Sequence, residues 1–335
     1  MQILDIKKIL IIRTGAIGDV VHTTNLYRSI KRQNPETEIH YLTSDLIKPL
    51  LEADVDISKI ITIPKKIKLF SSETKELIKK INNENYDVVF NLQPSLKTRL
   101  IIMLSNIKKQ AVYKKNFKVH AVKNFWQTGL EIFPNLKEPN NLKIYLPNSL
   151  TNNAKELIKN FKSPVIILNA GGMFSKRQGR TYPVKKWVEL ADKISEYYGG
   201  TFILNGAKED REFLLPLEKI KNSINYIGVF SLEKACAVIS QADLMISGDS
   251  GPLHIACALG VKSIGLYGSM PENRTGCYCN GINIVSKKEC VPCNRRKCKF
   301  LRGTKNIYAP CMEEIKVETI FEQVKILLGT KEIKH

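Results

Sequence analysis

Two aspartates stand where a proton acceptor or an anion site would be built. Asp19 follows the apolar run Ile9-Leu10-Ile11-Ile12 and the turn Arg13-Thr14-Gly15-Ala16-Ile17-Gly18, and it opens a stretch, Val20 to Ile30, whose apolar residues recur at helical spacing. A continuous Ile/Leu run reads as a strand buried on both faces, so Asp19 falls at a strand-to-helix turn. Glycines at 15 and 18 allow positive φ and let a ligand or another backbone come close. Asp is also a favoured helix cap, and capping alone would account for Asp19 taken by itself. The second aspartate repeats the arrangement. Asp243 to Ser247 reads as a strand, Gly248-Asp249-Ser250-Gly251-Pro252-Leu253-His254 as a turn and helix start, and Gly260 as the end of that helix. Pro252 suits a first helical turn, and the N–H groups exposed there form an anion site suited to a diphosphate. His22, one turn after Asp19, is placed to meet a substrate or to pack, and His254 faces the same choice beside the anion site.

Three further segments carry functional side chains. Asn169 to Arg180 follows the strand Val165–Asn169 and precedes a helix starting near Tyr182-Pro183, leaving Gly171, Gly172, Lys176, Arg177 and Arg180 in a basic loop at a strand end. A solvated charged loop is the plainer alternative. Asn205-Gly206-Ala207-Lys208-Glu209-Asp210 is a strand-to-turn junction bearing two carboxylates, which an acidic helix N-terminus would also explain. Of eight cysteines, Cys290, Cys293, Cys298 and Cys311 cluster, and the first two have the gap that lets both thiolates reach one ion. Structural zinc or iron is one reading and free thiols the other, since a reducing compartment disfavours disulfides. Four thiolates would leave no open position for catalysis.

These segments need scaffolds to position them. Apolar runs at Glu38–Leu42, Ile60–Ile63 and Tyr86–Leu92 alternate with helical or turn segments, and after a stretch rich in Asn, Pro and Lys near 134 to 163 the pattern resumes at Val165–Asn169, Thr201–Asn205, Asp243–Ser247 and Ser263–Tyr267. The alternation predicts an α/β chain of two Rossmann-like halves with a cleft between them. The expected domains are 1–160 and 161–335, the second with a Cys-rich insertion at 277–311 and a last helix that packs back on the first.

The segments Arg13 through His22 and Gly248 through His254, with Gly268 beyond, resemble the two signatures of the ADP-heptose:lipopolysaccharide heptosyltransferases, glycosyltransferase family 9, in the same order along the chain. That resemblance implies the GT-B architecture, two Rossmann-like domains with parallel sheets facing across a cleft. It implies inverting transfer from an ADP-sugar donor to an anionic glycolipid or glycan acceptor such as the lipopolysaccharide core, with Asp19 as general base and His22 toward the acceptor. The donor would be bound by Thr14, Gly15, Gly18, Gly171, Gly172, Glu209, Asp249, Ser250, Gly251, Pro252 and His254, an acidic residue near 209 or 210 meeting the ribose. The family places a substrate-contacting lysine two residues before an aromatic-proline pair, where this chain has Arg180. The charge is kept but its geometry changes, so Lys176, Arg177 and Arg180 are rivals for neutralising the leaving diphosphate. No metal is implied for transfer itself.

Composition fits an enzyme of about two domains, since 335 residues with 43% hydrophobic content can fill two cores. No uncharged run reaches the roughly 20 residues of a membrane span, and Asp5, Lys7 and Lys8 ahead of the first apolar run argue against a signal peptide. A cytoplasmic location is expected, with peripheral contact at the inner membrane surface. A net charge of +20 suits an anionic partner. The cluster Lys287, Lys288, Arg295, Arg296, Lys297, Lys299 and Arg302 raises a nucleic-acid-binding alternative, although that reading gives the two strand-turn-helix segments nothing to do. A sugar-nucleotide epimerase of the same architecture is the rival enzyme. A dinucleotide oxidoreductase lacks its Gly-x-Gly-x-x-Gly after the first strand, and an NTPase lacks its Walker lysine.

Overall fold

The computed structural model describes residues 6–64, 71–138, 141–171, 180–295 and 297–330. The segment 172–179, which holds Gly172, Lys176 and Arg177 of the basic loop, lies outside the described residues.

Two compact units form, Met1–Tyr145 and Leu146–His335. The first is built on strands β1 (Lys8–Ile12), β2 (Glu38–Ser44), β3 (Lys59–Ile63), β4 (Val88–Asn91) and β5 (Lys109–Val112), with helices α1 (Ile17–Gln33), α2 (Ser72–Asn83), α3 (Leu96–Met103) and α4 (Ala121–Gly129). All four strand pairings are parallel, in the order β3-β2-β1-β4-β5. A parallel sheet covered on both faces needs apolar side chains on both, which is why Ile9, Leu10, Ile11 and Ile12 are all buried without alternation. Leu10 and Ile12 join Leu42, Leu77, Ile81, Val89, Ile101 and Ile102 in the core under α2 and α3, while α1 and α4 pack together.

The second unit contains β6 (Val165–Asn169), β7 (Thr201–Asn205), β8 (Ser223–Asn225), β9 (Leu244–Gly248), β10 (Ser263–Tyr267) and β11 (Gly281–Val285). Its helices are α5 (Asn148–Ile158), α6 (Val184–Tyr198), α7 (Arg211–Leu214), α8 (Leu232–Ile239), α9 (Gly251–Ala258), α10 (Glu272–Thr275), α11 (Pro310–Glu314) and α12 (Val317–Leu328). The sheet order is β11-β10-β9-β6-β7-β8, again with parallel pairings. Counted from β6, this is the 3-2-1-4-5-6 order of a dinucleotide-binding fold. Trp187, Leu190 and Ile194 of α6 pack with Ile320 and Val324 of α12 and the strand residues Ile166, Phe202 and Ile246 in one core.

One detail differs from the sequence-based expectation. The division falls at Tyr145, ahead of 160, because α5 packs against α8 and so belongs to the second unit. The terminal helix α12 packs with α6, β10 and β11. Among the described residues no helix is long and apolar enough to cross a membrane.

Candidate active site

In open parallel sheets, ligands bind outside the carboxyl ends of the strands where the order of connection reverses. The reversal lies between β1 and β4 in the first unit and between β6 and β9 in the second. Each coincides with one of the two aspartate turns.

In the first unit the chain leaves β1 at Ile12 and enters α1 at Ile17. The N-cap is Ala16, with no side-chain cap bond, and Asp19 sits within the first turn. Capping therefore does not explain this aspartate. Its Oδ2 is paired with Nη2 of Arg13. Arg13 is itself fixed, since Nη1 donates to the Leu92 carbonyl at 2.7 Å and the guanidinium lies 5.5 Å over the Phe125 ring. The Thr14 N–H donates to Oε1 of Gln93 at 3.0 Å, which ties the β1 turn to the β4 turn at the reversal. Gly15 and Gly18 are not among the glycines at positive φ, and a Cβ on Gly15 would meet nothing within 4 Å. Gly15 provides open space in the turn, and neither glycine supplies the left-handed backbone anticipated from sequence. His22 is 1% exposed and packs edge-on against His120 with ring centroids 5.5 Å apart. Arg13 could not be recognised from sequence as the partner of Asp19, because an arginine closing a strand reads as an ordinary boundary residue.

The second unit places its functional groups on three adjacent strand ends. Register aligns Asn205, Asn169 and Ser247 across β7, β6 and β9. Nδ2 of Asn205 donates to Oδ1 of Asn169 at 2.8 Å, and Nδ2 of Asn169 donates to the hydroxyls of Ser247 at 2.8 Å and Ser250 at 3.1 Å. Ser250 is the N-cap of α9, its hydroxyl accepting the Leu253 N–H at 3.4 Å, with Gly251 and Pro252 in the first turn. This amide-hydroxyl relay was missed from sequence. Asparagine at two strand ends was its only local signal.

Asp249 is buried between the side chains of Arg180 and His254. Its Oδ2 lies 2.9 Å from Nη2 of Arg180 and its Oδ1 3.4 Å from Nε2 of His254, and Nη1 of Arg180 donates to the Asp249 carbonyl at 3.0 Å. Burial, the largest single influence, pushes the Asp249 carboxyl up, but the hydrogen bond from His254 and the charges of Arg180 and His254 together hold it below the usual carboxylate value. Gly248 completes the joint, since a Cβ there would lie 2.4 Å from the Arg180 carbonyl oxygen. Gly171 is also held by close approach, because a Cβ on it would lie 2.8 Å from Oδ2 of Asp210 and 3.2 Å from Cα of Gly206. Asp210 is buried and Glu209 exposed, so of the two carboxylates considered Asp210 is the one against the Gly171 turn.

Cys290, Cys293, Cys298 and Cys311 line one cavity of about 710 Å³, together with Lys287, Lys288, Arg295, Lys299 and Glu314. Burial, with the neighbouring Cys290, Cys298 and Cys293, pushes the Cys311 thiol up to about 11. Among the described residues no three His, Cys, Asp or Glu side chains are arranged to hold a metal ion. The four thiols are gathered at one cavity.

Residues 74–302 match the family model described as glycosyltransferase family 9 (heptosyltransferase). The chain is 25% identical to lipopolysaccharide heptosyltransferase 1 of Campylobacter coli, over 96% of this chain and 99% of that protein. Its fold matches a glycosyl transferase family 9 structure from Veillonella parvula with a TM-score of 0.82 at 20% identity, covering 98% of each chain. It also matches E. coli ADP-heptose lps heptosyltransferase II with a TM-score of 0.75 at 19% identity, covering 96% of this chain and 98% of that one. The epimerase and nucleic-acid alternatives give way to a glycosyltransferase of GT-B fold. Two parallel sheets, an aspartate turn at the reversal point of each and a family match over most of the chain agree, and the chain belongs to glycosyltransferase family 9, the heptosyltransferases.

Proposed function

We propose that this protein moves a heptose from ADP-heptose to a lipopolysaccharide-core or related glycan acceptor, with inversion at the anomeric carbon. The observation that supports it most is the start of α9. There a serine cap and an aspartate paired with Arg180 and held against His254 leave a helix N-terminus for phosphate at the reversal point of the sheet. Asp249 would act by holding Arg180 and His254 beside the diphosphate, since its own charge is already matched. Asp210, against the Gly171 turn, is the better placed of the two carboxylates for a ribose. The acceptor oxygen forms the new bond to the anomeric carbon as its proton passes to Asp19, and the bond to the β-phosphate oxygen breaks with its electron pair leaving on ADP. Arg13 engages one oxygen of Asp19 and orients the other for the acceptor hydroxyl. Transfer needs no metal in this scheme, because a helix terminus and side-chain cations meet the leaving charge.

The test is thermal stabilisation by ADP, UDP and GDP, followed by turnover with ADP-heptose. Selective stabilisation by ADP is expected, since a ligand that binds only the folded state raises the melting temperature. Stabilisation by UDP or GDP with none by ADP would overturn the donor assignment.

A further inference from the structure

Two cysteines outside the thiol cavity meet at the foot of helix α9. Cys257 lies in its last turn, one turn beyond His254, and is 1% exposed. Cys277 follows α10 and is half-buried, with its N–H donating to Oδ1 of Asn283 at 2.8 Å. The two thiols are hydrogen-bonded to each other. Cys279 is close by, but its thiol donates to the main-chain carbonyl of Cys257 at 3.4 Å. The hydrogen bond from Cys277, opposed by burial and then helped by a protonated His254, the Ser263 hydroxyl and the Tyr278 main chain, brings the Cys257 thiol down to about 7. Cys277, which gives that hydrogen bond and is itself enclosed, is pushed well up. A cysteine that only fills a core behaves otherwise, as Cys236 of α8 does, pushed up to about 12 by burial.

Both cysteines also adjoin groups that hold Asp249. His254 lies against Oδ1 of that carboxylate, and Thr275, two residues before Cys277, is another of the groups that lower it. We propose that Cys257 and Cys277 form a reversible dithiol–disulfide pair, oxidised by small-molecule disulfides, that governs how the α9 turn binds nucleotide. Cys277, the more exposed of the two, passes its proton across the hydrogen bond to Cys257 and attacks one sulfur of the small disulfide, releasing a thiolate that takes up a proton. Cys257 then attacks the Cys277 sulfur as a thiolate and expels the second small thiol. Two protein S–H bonds are thus exchanged for one S–S bond, and the two electrons and two protons leave on the reduced small thiols. The new bond draws the sulfurs closer than a hydrogen bond does, which shifts the end of α9 or the segment after α10, and with it His254 or Thr275. The effect on nucleotide rests on the donor reading above, and the pairing of the thiols does not.

The test is oxidation of the full-length protein with glutathione disulfide, against a sample kept in dithiothreitol, with links mapped by tandem mass spectrometry and ADP affinity measured by calorimetry. The expected result is a link between Cys257 and Cys277 that dithiothreitol reverses, with ADP bound about fivefold or more weakly in the linked form. Cys277→Ser should form no such link and keep its ADP affinity through oxidation, while Cys279→Ser should respond as the wild type does. Links confined to other cysteines, a mixed disulfide with glutathione as the only product, or a link that leaves ADP affinity unchanged would each overturn the proposal. So would an equal loss of affinity in oxidised Cys277→Ser. A reduced protein that ADP does not bind would strike the donor reading, and the presence or absence of the link would still decide the pair.

Discussion

Arg180 and Asp249, far apart in sequence, are joined twice: the guanidinium bridges both the carboxylate and the main-chain carbonyl of the same residue. The planar fork of arginine explains how one side chain makes both contacts. A lysine ammonium is a point charge and cannot make both contacts with fixed geometry. Arg180 is therefore a residue that holds the α9 turn as well as one that brings charge to it.

Removing the carboxylate should expose that dependence. Asp249→Ala leaves Arg180 and His254 without their shared anion, and loss of one partner of a buried ion pair costs about 3 kcal/mol. Calorimetry should show weakened ADP binding and thermal denaturation a lowered melting temperature. Arg180→Lys should weaken ADP binding less than Asp249→Ala. Unchanged donor affinity in Asp249→Ala would remove this residue from the nucleotide site.

The same carboxylate predicts a pH dependence. Its folded-state pKa is held below the ordinary aspartate value of 3.8, so it contributes stability above that value, and the contribution is lost as pH falls through the lower folded-state value. The difference in melting temperature between wild type and Asp249→Asn should be full at neutral pH and shrink below about pH 3.8. A difference that stayed constant through the acid range would show that the charge is not its source.

Gly248 is needed for close approach, not for backbone freedom. A methyl group there meets a carbonyl oxygen of Arg180 at 2.4 Å, and backbone cannot swing aside as a side chain can. Gly248→Ala should cost about 1–3 kcal/mol and loosen ADP binding, as read by denaturation and calorimetry. The control Gly15→Ala, where a Cβ would meet nothing within 4 Å, should leave the melting temperature nearly unchanged.

Asp19→Asn keeps the shape of the first turn and removes the proton acceptor. Turnover should fall by about 10²–10⁴-fold, while ADP stabilisation stays near that of wild type. Near-normal turnover would exclude Asp19 as the base.

Chelation should separate the cysteine cavity from the chemistry. Turnover should be unaffected by EDTA, because the proposed scheme meets the leaving charge with a helix terminus and side chains. A loss restored by one added metal ion would place a metal in the reaction.

The sequence alone determined the strands that lie inside the two sheets and the two turns that follow β1 and β9. A strand buried on both faces must be apolar throughout, as in Ile9–Ile12 and Val165–Leu168, and that signal is local. The edge strands β5, β8 and β11 escaped notice because each is short and only partly buried, so packing leaves a weak mark on its composition. The serine and proline at the head of α9 announced a helix start, since capping chemistry acts within one turn. Only the tertiary structure decided which charges meet. Arg13 with Asp19, Arg180 with Asp249, and the Asn205-Asn169-Ser250 relay depend on register between strands and on turns brought together by sheet order. No spacing along the chain encodes such meetings, because each is settled by how whole elements pack.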